Sequence, residues 1–450
     1  MSGGQAALGL AAALALASCA HGPKTDVHDP IALTEEGQGE LAANKPKEAL
    51  EAFEAALRID PTSLSAVRGH IEAARRMGLL AKLAQAAEAR TQTAPDDGLA
   101  WYTLGLARFA AGDEAGAVGA LERAVQAMPD NADAHYRLGV ALFNGEKFAQ
   151  ARAPLEKAVQ LSPKSPRYRV PLASCLDRLG ERRAAIALLA PIPELSPTPE
   201  EAKLAMQTSR VLTEPFRGVP QESRAQLEQA LGYLLRDAPG LAVAPLESLL
   251  EKLPDLAAAH ALLGLAAERL DEAGRAVSEL KRAAELSPDA PQPHIYLAEF
   301  YAGHARPELA AQEYQAALER DPLDIATLRK LAMLEFDRPA GAPAAIAALR
   351  KVVALTPDDE EVQLLLARAE LATNDAPAGR ARLEKLAEKK PDNAEVLLRL
   401  ALALLEQRAQ LTGTARSEVT KRAVELTHKV LSLQPDNAAA SRLLSTLQTG

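Results

Sequence analysis

Apolar positions along residues 98–131 recur with a helical period, stop, and recur again. Trp101, Leu104, Gly105 and Arg108 fall at i, i+3, i+4 and i+7, one face of a helix. Gly112-Asp113 breaks that helix, and Ala117, Leu121, Ala124 and Val125 form the apolar stripe of a second. Pro129-Asp130-Asn131 ends it, because proline cannot continue a helix and Asp and Asn favour turns. The small residues Gly105 and Ala117 let the two backbones approach closely. The pattern predicts a helical hairpin.

The hairpin recurs. Pro61, Pro95, Pro129, Pro163 and Pro197 are each 34 residues apart. Pro254, Pro288, Pro322, Pro357, Pro391 and Pro435 follow at intervals of 34, 34, 35, 34 and 44. The small residue of the second helix keeps step at Ala49, Ala117, Ala151, Ala185, Ala242, Ala276, Ala310, Ala345 and Ala423. So do Gly37, Gly105, Gly139 and Gly264 in the first helix, while Leu83 and Gly379 mark degenerate copies. The pattern resembles the tetratricopeptide repeat, W-x2-L-G-x2-Y…A-x3-F…P over 34 residues. Trp101, Leu104, Gly105, Ala117 and Pro129 match it; Arg108 and Leu121 stand where the family has Tyr and Phe. The resemblance covers roughly residues 30–435. It implies an all-α, right-handed α-solenoid of about eleven helix-turn-helix repeats whose first helices line the concave side.

The phase slips once. Pro197 to Pro254 is 57 residues, one repeat plus 23. This divides the chain into a five-repeat array over 30–197, an inserted helix and loop over 198–222, and a six-repeat array over 223–435. Residues 436–450 are the expected capping helix. In the insert, EEAKLAMQTSRVL suits a helix and TEPFRGVP a loop. It reads either as a packing helix with a surface loop, or as a hinge or partner-contacting element. Arg338–Pro343 lengthens one turn inside a repeat, and about ten extra residues lie near Gln407–Ser417.

The N-terminus carries different information. Ala6–Ala17 is an apolar run of about a dozen residues, too short to span a bilayer and suited to the core of a signal peptide. Leu16-Ala17-Ser18-Cys19 resembles the lipobox of bacterial lipoproteins. That resemblance implies a signal peptide over 1–18, lipidation of Cys19, a tether over 19–29, and the periplasmic face of the outer membrane, since Ala20 rather than Asp follows the cysteine. The leader MSGGQ lacks Lys and Arg, which a misassigned start codon or an uncleaved Ala-rich tail would explain. With Cys19 acylated, Cys175 has no disulfide partner, and it reads as a small buried apolar residue.

Charge and motifs narrow the function. The net charge is −9 and no basic, aromatic-interleaved strip appears, so nucleic acid is not an expected partner. The chain lacks G-x-x-x-x-G-K-[ST], H-E-x-x-H, C-x-x-C and G-x-S-x-G, so no enzyme, cofactor, metal or small-molecule substrate is expected. His135, His260 and His294 share the repeat position of Trp101, which makes them packing residues between paired helices.

The expected function is a non-catalytic scaffold that holds a protein or peptide partner in the concave groove. Candidate groove residues are Leu99, Tyr102, Leu106 and Phe109 in the third repeat, with Tyr136, Val140 and Phe143 in the fourth. The same side chains could instead fill the seam between neighbouring first helices. Tyr296, Phe300 and Tyr301 form a second candidate. The family's carboxylate clamp is not matched, because Arg137 and Arg167 read as isolated. By resemblance, the setting is assembly of an envelope complex for pili, secretion or polysaccharide export. Alternatives are a substrate-recruiting subunit of an enzyme complex, or a cytoplasmic adaptor if the N-terminus is not processed.

Overall fold

A computed structural model describes residues 29–449 except 339 and 374. The expected signal peptide and the expected lipidation site, Cys19, lie outside the described residues. Among those residues the chain is wholly helical, with 24 α-helices, and it divides into two compact units after Ala185. Each unit is an α-solenoid in which helices pack mainly on their neighbours in the chain.

The first unit holds the hairpins α1–α2 (Pro30–Ala42, Pro46–Ile59), α3–α4 (Leu64–Arg76, Leu80–Thr93), α5–α6 (Gly98–Ala110, Glu114–Ala127) and α7–α8 (Ala132–Asn144, Phe148–Leu161). Next comes α9 (Pro166–Arg178), and then α10 (Arg182–Leu189), which runs across the division. The second unit continues with a 3-10 turn (Ile192–Leu195) and the inserted helix α11 (Pro199–Leu212). Six hairpins follow: α12–α13 (Gln221–Leu235, Pro239–Lys252), α14–α15 (Ala257–Arg269, Ala273–Leu286), α16–α17 (Gln292–Gly303, Pro307–Arg320), α18–α19 (Ile325–Phe336, Ala342–Leu355), α20–α21 (Glu360–Leu371, Ala376–Lys389) and α22–α23 (Ala394–Arg408, Gly413–Leu433). The last helix is α24 (Ala438–Thr449).

The recurring prolines work through the residue before them. Asp60, Ala94 and Asp321 each precede a proline and leave the helical region, with ψ of 89°, 77° and 85°. The proline ring clashes with a helical predecessor and stops the second helix there. Two or three residues further on, Asp97, Asn131, Asp324, Asp359 and Asn393 accept the first free N–H groups of the next helix. Proline followed by Asp or Asn thus ends one helix and starts another. The fifth hairpin differs: α10 ends two residues before Pro191, so Pro191 terminates it rather than Pro197.

Close approach within a hairpin depends on the small residue. A Cβ added at Gly105 would lie 2.6 Å from Cγ of Leu121. Leu121, Leu155, Leu246 and Leu280 occupy the family's Phe position and are at most 1% exposed. Burying each contributes about 1.5–3 kcal/mol. The Trp101 position has a second role. Trp101 Nε1 donates to the carbonyl of Pro95 (2.7 Å), and Arg169 Nη2 and Gln363 Nε2 donate to those of Pro163 and Pro357. His135 and His260 reach Pro129 and Pro254 in the same way, at 2.9 Å each. The position ties the inter-repeat turn to the next helix.

The insert is integral to the second unit. Helix α11 buries Ala202, Ala205, Ser209 and Leu212, and its Thr198–Glu201 capping box closes its N-terminus. Ser209 Oγ and Thr213 Oγ1 donate to the carboxylate of Asp321 at 2.6 and 2.9 Å. The loop beyond α11 keeps Pro215, Gly218 and Pro220 exposed, but Phe216 is 8% exposed and packs in the core around Leu227 and Leu262. At the C-terminus, Ala440, Leu443 and Leu447 of α24 cover apolar residues of the last hairpin.

Candidate peptide-binding face

Four first helices of the first unit bring one set of side chains together. Arg68 on α3, Tyr102 on α5 and Tyr136 on α7 are spaced 34 residues apart and share one repeat position. Asp133 and Arg167, on α7 and α9, share another. Because the helices stack in register, these positions converge on the Asp133 carboxylate. Arg68 Nη1 lies 3.1 Å from Oδ2, Arg167 Nη2 lies 3.1 Å from Oδ1, and Arg137 Nε lies 3.7 Å from Oδ2. The Tyr102 hydroxyl donates to Oδ2.

Asp133 is nearly enclosed, with 7% of its side chain exposed, whereas Arg68, Arg137 and Arg167 keep 29, 25 and 31% exposed. Burial pushes the Asp133 carboxyl up, but the three guanidiniums and the Tyr102 hydroxyl outweigh it and hold the acid below its ordinary range. Tyr102 shifts the other way, raised first by burial and then by the Asp133 charge. Three cations around one anion leave two positive charges in excess. Asp133 Oδ1 and Arg137 Nε are buried and lack a well-aligned hydrogen bond from the chain, the Arg167 contact to Oδ1 being an ion pair.

Aromatic rings complete the site. Tyr136 and Tyr168 pack with centroids 5.2 Å apart. The guanidiniums of Arg167 and Arg137 lie 4.8 and 5.2 Å from the centre of the Tyr136 ring. Such stacking fixes the planar cation while leaving its N–H edge free for an acidic partner.

The sequence candidates divide accordingly. Tyr102 is wholly buried and Leu106 nearly so, so neither is open groove wall; Tyr102 points inward because its hydroxyl has Asp133 as partner. Leu99, Phe109, Tyr136, Val140 and Phe143 are half-buried, and Phe143 packs edge-on against Phe148 at 5.2 Å. Arg137 and Arg167 are not isolated, since both flank Asp133. Arg68 was missed because it belongs to a degenerate repeat; its 34-residue spacing from Tyr102 was the available signal. In the second unit, Phe300 and Tyr301 are buried and lie outside any open face.

Comparison with known proteins identifies the repeats. Two family models, each described as tetratricopeptide repeat, match the chain, one over residues 80–131 and 102–166, the other over 146–207 and 342–401. The chain therefore carries tetratricopeptide repeats. Proteins of this kind typically mediate protein–protein interaction and are typically non-catalytic. No curated protein matches. Among solved structures the chain is similar to YrrB, titled a TPR protein with an unusual peptide-binding site, at 16% identity over 44% of this chain and 96% of that one (TM-score 0.36). It is also similar to TTC0263, a thermophilic TPR protein of Thermus thermophilus, at 21% identity over 41% and 98% (0.33). A third likeness is to a chain of the APC/C hetero-tetramer Cut9–Hcn1, at 14% identity over 97% and 98% (0.32).

Proposed function

We propose that this protein is a non-catalytic scaffold that captures an acidic protein segment on the first-helix face of its first unit. The observation that carries the reading is the excess of two guanidiniums over Asp133, part-exposed and stacked on Tyr136. Arginine presents paired N–H donors that match a carboxylate, and each charge-assisted hydrogen bond contributes about 1.5–3 kcal/mol. The repeats add an extended surface along which the rest of a segment can lie. The lipobox resemblance supports attachment through Cys19 to the periplasmic face of the outer membrane, where the scaffold would hold parts of an envelope complex.

Peptide display tests the binding half. The intact protein should enrich acidic sequences from a random library, and R137Q/R167Q should lower that enrichment at least tenfold while circular dichroism at the assay temperature shows unchanged helical content. Enrichment that ignores peptide charge, or that survives the double substitution, sinks the reading. Mass spectrometry of the mature N-terminus tests the anchor: a diacylglyceryl-modified Cys19 is expected, and an unmodified Met1 or Ser2 refutes it.

A further inference from the structure

In a stack of repeats each repeat touches only its neighbours, so the curvature is a sum of many small, soft steps. Residues 192–216 depart from that rule. They touch four successive hairpins of the second unit and meet them in reverse order. The 3-10 turn (Ile192–Leu195) and α11 pack on α19, in the fourth hairpin of the unit. Ile192 and Pro193 are buried, and Glu194 Oε1 lies 3.9 Å from Lys351 Nζ of α19. At the other end of α11, Ser209 and Thr213 bond Asp321, in the turn between the third and fourth hairpins. The Thr213 carbonyl then accepts from Gln292 of α16, in the third hairpin, at 3.0 Å. Phe216 packs in the core that holds Leu262 of α14 and Leu227 of α12, in the second and first hairpins.

The middle anchor is specific to the insert. Asp321 precedes a repeat proline, and Asp60 holds the same place in the first repeat. Asp60 is satisfied within its own turn: its Oδ1 accepts from the Thr62 N–H at 2.9 Å and from the Thr62 hydroxyl at 2.6 Å. Asp321 takes one bond from its own turn, the Leu323 N–H at 3.3 Å, while its two carboxylate oxygens accept hydroxyls 112 and 108 residues upstream. Ser209 is 1% exposed, so that contact is closed to water. Burial raises the Asp321 carboxyl, and the two hydroxyl bonds oppose the rise. Between this anchor and α19 runs a helix of 14 residues, a rod of about 21 Å that resists stretching as a loop would not.

We propose that residues 192–216 are a strap that fixes the pitch of the second unit. By joining hairpins that do not touch one another in an ordinary stack, the strap holds the first four hairpins of the unit at one curvature for as long as its anchors stand. The acidic-segment reading takes no part in this inference, since its residues all lie in the first unit.

The test reads two distances by pulsed electron resonance in the full chain, with Cys19 and Cys175 replaced by Ser and Ala. Nitroxides at S248C and A347C, exposed sites on α13 and α19, report across the strap from the first hairpin to the fourth. Nitroxides at S248C and K281C, the latter exposed on α15, report a single neighbour step. Both distributions should be narrow in the otherwise unaltered chain. S209A/T213V leaves the Asp321 carboxylate facing methyl groups, and I192A empties the far anchor. Either variant should at least double the width of the long distribution, with the neighbour distribution and the helical content by circular dichroism unchanged. Three results overturn the proposal: the long distribution stays narrow in every variant that folds, the neighbour distribution widens along with it, or both variants lose helicity.

Discussion

Replacing Asp133 by Asn removes the one anion around which three arginines and Tyr102 are arranged. Breaking a fully buried ion pair by deleting one partner costs about 3–5 kcal/mol. Here the carboxylate is enclosed but its cations stay 25–31% exposed, so water recovers part of their solvation once the charge is gone. Asn still offers an oxygen to the Tyr102 hydroxyl. The loss for D133N is therefore about 1–2 kcal/mol, or a fall of roughly 3–8 °C in the melting of the first unit. The sign with pH follows from the depressed carboxyl. Its contribution is fully present above the unfolded value near ~3.9 and is lost as pH falls through the lower folded value. Melting curves by circular dichroism across pH should show a constant gap between D133N and the parent near neutrality. The gap should close in acid, once the native carboxyl is itself protonated. Equal melting at pH 7, or a gap of undiminished size in strong acid, refutes the account.

Two further predictions follow from packing. Gly105→Ala gains about 1 kcal/mol of helix propensity but forces a methyl against Leu121, at 2.6 Å from Cγ and 3.3 Å from its backbone nitrogen. A net loss of about 1–2 kcal/mol is expected in chemical denaturation, and unchanged or higher stability would show that the α5–α6 pair can spread at no cost. Cys175 is wholly buried with its thiol against the Phe148 carbonyl at 3.2 Å, and burial raises its pKa. Ellman's reagent should label it only upon unfolding, and rapid labelling of the native protein at pH 8 would place it at the surface instead.

Much of the architecture was legible because it is local and repeated. A proline forbids helical geometry one residue earlier, and an Asp or Asn just after it caps the next helix; both effects act within four residues and need no partner. The 34-residue spacing then identified the hairpin, its small contact residues and its tetratricopeptide character without coordinates. The spacing misled where local chemistry competed: Pro197 keeps the beat, yet Pro191 stops α10 first.

The direction each side chain faces belonged to the tertiary structure. Tyr102 and Tyr136 share one repeat position, yet one is wholly buried and the other half-open, because only Tyr102 finds a neighbouring carboxylate to accept its hydrogen bond. Arg68, Arg137 and Arg167 span about a hundred residues of sequence, and only stacked helices turn that separation into a few ångströms around Asp133. The loop at 213–220 carries turn signals that suit any surface, and the burial of Phe216 depended on apolar residues brought to it by the adjoining α12 and by α14 and α16 further along the chain. Backbone geometry at a proline is decided by its nearest neighbours, so sequence suffices there. Burial and charge pairing depend on which distant groups arrive within contact range, and that is fixed only when the repeats stack.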